Sequence, residues 1–112
     1  MQNDEINKRS RRTELSDFAK HDIEEIWLYL SEINQTSADK LIKEMLQKFK
    51  MLAENPKLGK SRDEILLELR SFPFKKYIIF YLLTDYGIEV FRIVHSARNI
   101  EGLFDELFEG LK

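Results

Sequence analysis

From Ser16 onward, apolar side chains recur at three- and four-residue steps: Phe18, Ala19, Ile23, Ile26, Trp27, Leu30 and Ile33. That spacing predicts one face of an amphipathic helix, with Asp17, Asp22, Glu24, Glu25 and Glu32 falling mostly off it. The pattern breaks at Asn34-Gln35-Thr36, and Thr36 followed three residues later by Asp39 resembles the capping box of a second helix. This second helix presents Ala38, Leu41, Ile42, Met45, Leu46, Phe49, Leu52 and Ala53. Asn55-Pro56 stops it, because proline disfavours helical geometry in the residue before it. Two helices on so short a link predict an antiparallel hairpin.

Beyond a loop from Lys57 to Asp63, which holds Gly59, the period changes from helical to strand-like. Glu64 to Phe72 alternates imperfectly, and Pro73 is expected to end or bend that strand. Tyr77-Ile78-Ile79-Phe80-Tyr81-Leu82-Leu83 is apolar on both faces, the mark of a central strand. Asp85-Tyr86-Gly87 supplies a short turn into Ile88–His95, so the pair reads as a β-hairpin. Ile100, Leu103, Phe104, Leu107, Phe108 and Leu111 then form a helical stripe expected to pack on the domain, with an exposed Phe104/Phe108 face for a partner as the alternative. The fold class is therefore α+β: an N-terminal antiparallel helical hairpin packed on a small, mainly antiparallel sheet, with a C-terminal helical tail.

Composition bounds this picture. The 112 residues suit one core, and 43% hydrophobic with 34% charged residues fit a globular protein. No apolar run approaches the ~18 residues that span a bilayer, and the polar start has no signal-peptide h-region, so no membrane contact is expected. Zero cysteines exclude disulfides, thiolate catalysis and thiolate zinc sites, and point to the cytoplasm. His21 and His95 have no metal-ligand spacing, so neither a metal nor a cofactor is expected.

Net charge is only −2, but it is unevenly spread. Residues 57–98 carry eight cations against five anions, whereas residues 99–112 carry one against four. Residues 1–14, with Lys8, Arg9, Arg11 and Arg12, read as a polar basic arm; 15–98 read as the domain; 99–112 as an acidic amphipathic tail.

The candidate chemistry gathers at the last strand, where Arg92 sits inside an apolar run and His95 and Arg98 follow at its end. A guanidinium is always charged, so burying it demands a partner. Arg92 and His95 lie three apart and point to opposite faces of an ideal strand, so they do not form a ready-made catalytic pair.

These residues in this order resemble the RelE/ParE superfamily of bacterial type II toxin–antitoxin toxins, on the ParE-like branch. The resemblance rests on Leu15-Ser16, Ala19, Asp22-Ile23 and Ile26, then on Leu52-Ala53-Glu54-Asn55-Pro56 and Gly59. Arg70-Ser71-Phe72-Pro73, Ile79-Phe80-Tyr81, Arg92-Ile93-Val94-His95 and Ala97-Arg98 complete it. Family chains often have glycine before the Arg-Ser-Phe-Pro run and after Pro-x, where this chain has Glu68-Leu69 and Lys75-Lys76. They commonly have aspartate where this chain has Asn99, and their N-terminal strand is expected to be poorly formed here, because Arg11 to Leu15 offers little apolar alternation.

The resemblance implies a toxin neutralised by a cognate antitoxin, and it implies one of two targets. A ParE-like toxin poisons DNA gyrase by binding and needs no bond-making residue. A RelE-like toxin is a ribosome-dependent, metal-independent mRNA endonuclease, for which Arg70, Arg92 and Arg98 would clamp phosphate and His95 would move the proton. A third reading is a non-toxic interaction module of the same fold. The acidic tail, with no tyrosine after Tyr86, favours the gyrase reading, because it would repel a phosphate backbone. Trp27, Phe49, Phe104 and Phe108 are the candidate partner-binding aromatics.

Overall fold

A computed structural model describes residues 11–110. The expected basic arm as far as Ser10, and Leu111 of the C-terminal stripe, lie outside the described residues. The elements run β1 (Arg12–Leu15), α1 (Asp17–Ile33), α2 (Gln35–Glu54), a 3₁₀ turn (Pro56–Leu58), β2 (Lys60–Ser61), β3 (Leu69–Phe74), β4 (Tyr77–Thr84), β5 (Gly87–His95) and α3 (Ile100–Gly110). The five strands form one sheet in the order β1-β5-β4-β3-β2, antiparallel except for the parallel β1–β5 pair. The α1–α2 hairpin covers one face and α3 the other, so the sheet lies between two apolar clusters.

Three local expectations are corrected. Asn34, not Thr36, caps α2: its side-chain oxygen accepts from the Ser37 N–H at 3.0 Å, while its own N–H bonds to the Leu30 carbonyl and closes α1. Asp39 instead accepts from the Trp27 indole N–H at 2.7 Å, tying the two helices together. Glu64–Glu68 is a turn rather than strand, because the Asp63 carboxylate accepts from the Glu68 N–H at 2.8 Å and rounds the backbone. The N-terminal strand does form: Arg12–Leu15 pairs with Gly87–Val90. A side chain at Gly87 would collide with the Arg12 backbone, so glycine is what lets β1 approach.

Pro73, expected to end or bend this strand, lies inside β3, which runs on to Phe74. The Leu69 carbonyl and Ser71 face β2, so by alternation the Pro73 nitrogen faces the same side, beyond the last β2 pair, where a missing N–H costs no ladder bond. The chain also takes left-handed backbone at Glu68 (φ 70°) and Lys75 (φ 54°).

Tyr77–Thr84 is the central strand, paired on both sides. Along β5 the register slips between Phe80 and Tyr81, leaving Phe91 as an extra residue. Val90 and Ile93 therefore both join the helix-side core, although they are three apart, while Phe91 and Val94 turn to the α3 side.

Candidate functional site

Arg92 has the partner its burial requires. β1 pairs with β5 only as far as Val90, so the outer edge of β5 beyond that point is left to α1. Ser16 donates its hydroxyl to the Phe91 carbonyl at 2.7 Å while capping α1 through the Ala19 N–H at 3.0 Å. One turn later Asp22 accepts from the Ile93 N–H at 2.9 Å and takes both prongs of Arg92, Nε at 2.7 Å and Nη2 at 2.9 Å. Both side chains are about one-tenth exposed (11% each), so this two-pronged ion pair is largely desolvated. The Phe18 ring lies 6.0 Å from the guanidinium carbon. The pair pins helix to strand edge.

Arg70 is spent on a different junction. Its Nη1 donates to the Gly59 carbonyl at 2.7 Å and the Lys57 carbonyl at 3.3 Å. Directly opposite on β4, Tyr81 is fully buried; its hydroxyl donates to the Pro56 carbonyl at 2.7 Å and accepts from the Gly59 N–H at 2.8 Å. Burial raises the Tyr81 phenol above its usual pKa, with the Gly59 N–H and Arg70 pulling the other way. A side chain at Gly59 would strike the Tyr81 ring and the Ser71 carbonyl, so the turn after α2 fits only with glycine.

His95 is exposed: its Nδ1 accepts from the Ala97 N–H at 3.1 Å, and its ring meets Tyr77 edge-on with centroids 5.6 Å apart. Arg98 is also exposed; its backbone N–H closes the turn onto the His95 carbonyl at 3.0 Å, and among the described residues its side chain makes no hydrogen bond. Asn99 caps α3 by accepting from the Gly102 N–H at 3.2 Å, a task asparagine performs without the aspartate's charge. Acidic groups follow at once, at Glu101, Asp105, Glu106 and Glu109.

The four residues proposed for phosphate chemistry therefore do not converge. Arg70 and Arg92 stand on strands separated by β4, roughly 10 Å apart at two strand spacings, and their heads reach in opposite directions. Of the partner-binding aromatics, Phe49 and Phe104 are each 2% exposed and belong to the two cores, while Trp27 and Phe108 are half-buried. Phe104 is the hub of the α3 side, with ring centroids 5.0 Å from Phe80 and 5.9 Å from both Phe91 and Phe108. Among the described residues no group of three His, Cys, Asp or Glu is placed to hold a metal, and no helix is long and apolar enough to cross a membrane.

Sequence reasoning missed Asp22 as the counter-ion of Arg92. The signal was available: an arginine in an apolar strand needs a carboxylate, and Asp22 follows the Ser16 cap by six residues, on the first turns of a helix that must lie against the sheet.

The helical hairpin, the five-stranded sheet apart from Arg12, and the strand-end motif together fall within the span matched by a known toxin family. The family described as ParE toxin of type II toxin-antitoxin system, parDE, matches residues 13–100, well over half of the chain. The chain belongs to that family, and membership implies a cognate antitoxin as partner. It is similar to Toxin ParE1 of Mycobacterium tuberculosis, in strains CDC 1551 / Oshkosh and H37Rv alike, with 29% identity over 94 residues that cover 82% of this chain and 96% of the relative. Among solved structures, a chain of the chromosomal ParDE TA system from P. aeruginosa shares the fold at a TM-score of 0.64 and 17% identity, covering 77% of this chain and 96% of that one.

Proposed function

We propose that this ParE-family toxin acts in the cytoplasm by binding and inhibiting DNA gyrase, and that its cognate antitoxin neutralises it by occupying its surface. The observation that carries binding over cutting is the use made of the arginines. Arg92 is held by Asp22 through Nε and Nη2, and Arg70 by the carbonyls of the turn after α2 through Nη1, so both guanidiniums are engaged in bracing the fold. The acidic outer positions of α3 begin two residues beyond Asn99, beside His95 and Arg98, and would repel an RNA backbone.

Mapping transcript ends after induced expression tests this reading. Growth arrest without new cleavage sites, relieved by the antitoxin, is the expected result. New ends that vanish in His95→Ala would instead place a ribonuclease at the β5 end.

A further inference from the structure

β1 stands first in the strand order β1-β5-β4-β3-β2, and among the described residues no strand pairs with its outer side. The Arg12 N–H donates to the Tyr86 carbonyl at 2.8 Å and the Ser16 N–H to the Val90 carbonyl at 3.0 Å, so the even-numbered residues here turn their backbone groups towards β5. By alternation Thr13 and Leu15, with Arg11 before them, turn their N–H and C=O outward. The opposite edge of the sheet is blunted by a two-residue β2 and by Pro73 beyond it, whereas β1 carries neither proline nor bulge.

The side chains of β1 are self-complementary. Leu15 packs on the helix-side core and Thr13 reaches the Phe49 carbonyl, which puts Arg12 and Glu14 on the other face. Those two side chains are 64% and 51% exposed and meet loosely at 3.6 Å. When β1 meets a copy of itself antiparallel about an axis through Thr13, Arg12 falls opposite Glu14 of the second copy, and Glu14 opposite its Arg12. Moving the axis to Arg12 or to Glu14 sets like charges face to face, which destabilises a strand pair.

We infer that a second copy of this chain pairs with β1 in the Thr13-centred register and extends the sheet across a two-fold axis. Thr13 exchanges a pair of hydrogen bonds with its counterpart, and Leu15 exchanges another with Arg11 of the second copy. Arg12 and Glu14 take the non-hydrogen-bonded positions, where facing side chains come closest. Their contact within one chain is kept, so each guanidinium gains a second carboxylate. On the helix side a cleft of about 340 Å³, lined by Thr13, Leu15 and the half-exposed Leu46, leaves room beside the edge for the incoming strand. The contact is isologous and closes at two copies. A strand this short makes the dimer reversible, not obligate.

Sedimentation equilibrium of the full purified chain, over a wide range of concentration, tests the pairing. The mass rises from that of one chain towards that of two as concentration increases. Arg12→Glu and Glu14→Arg, each at an exposed position, set like charges opposite one another and weaken association by about tenfold or more. The double variant Arg12→Glu with Glu14→Arg exchanges the partners and restores the wild-type dissociation constant to within about threefold. Thr13→Pro removes an N–H that β5 does not use and abolishes the dimer, while circular dichroism shows that the fold is kept. A single-chain mass at every concentration overturns the inference, as does a dimer that Thr13→Pro leaves intact. Single charge variants that weaken the dimer, with no rescue in the double variant, overturn the register and the inference with it.

Discussion

Asp22 on α1 and Arg92 on β5 lie seventy residues apart in sequence, yet they form a two-pronged ion pair that also caps the Ile93 N–H. Removing one partner strands the other charge in a site that water barely reaches. Asp22→Ala is therefore expected to cost about 3–5 kcal/mol, and Asp22→Leu combined with Arg92→Met is expected to cost less than Asp22→Leu alone. Urea unfolding followed by circular dichroism measures both. Equal losses in the single and double variants would mean that the stranded charge is not the cause.

Tyr81 gives the fold a dependence on alkaline pH. Its pKa is raised in the folded chain, chiefly by burial, so its contribution is fully present below the unfolded value near 10 and is lost as pH rises through the folded value. Tyr81→Phe leaves the Pro56 carbonyl and the Gly59 N–H without their partner and should cost about 1–3 kcal/mol at pH 8. Melting temperatures measured between pH 8 and 11 should fall less steeply in that variant than in the wild type.

Glu68 has φ 70° and an exposed side chain, and its hydrogen bond to Asp63 is made by the backbone N–H. Glu68→Gly relieves the left-handed strain and keeps that bond, so a gain of about 0.5–1 kcal/mol is expected despite the extra freedom of the unfolded chain. Lys75→Gly relieves the same kind of strain but loses the Glu44 contact, and should come out near neutral. Thermal melts of the two single variants separate these outcomes.

Phe104 anchors α3 to the sheet through Phe80 and Phe91. Phe104→Ala should cost about 3–5 kcal/mol if α3 is part of the cooperative fold. Hydrogen exchange then shows protection in α3 lost together with that of β4. Loss confined to α3 would make the helix an independently opening unit.

The parts legible in the sequence are those whose signal is local. The helical stripes of α1, α2 and α3, and the apolar run of β4, follow from period and composition alone. Elements made by distant partners were hidden. β1 has little apolar alternation of its own; it exists because Gly87 admits it beside β5 and because Thr13 donates its hydroxyl to the Phe49 carbonyl at 3.3 Å. Ile65 and Leu66 looked like strand residues because they are apolar, but they pack from a turn against the α3-side core. At the site, the need for a partner at Arg92 was visible, and the identity of that partner was not. The bulge at Phe91 has no sequence mark, and it alters which β5 side chains share a face.

The central claim is inhibition by binding, and DNA supercoiling by purified gyrase tests it most directly. Added at stoichiometric excess, the toxin should abolish supercoiling or trap a cleavage complex. The His95→Ala variant should do the same, and preincubation with antitoxin should restore activity. Unchanged supercoiling with no trapped complex, under conditions where the same preparation arrests growth when expressed, would contradict the account.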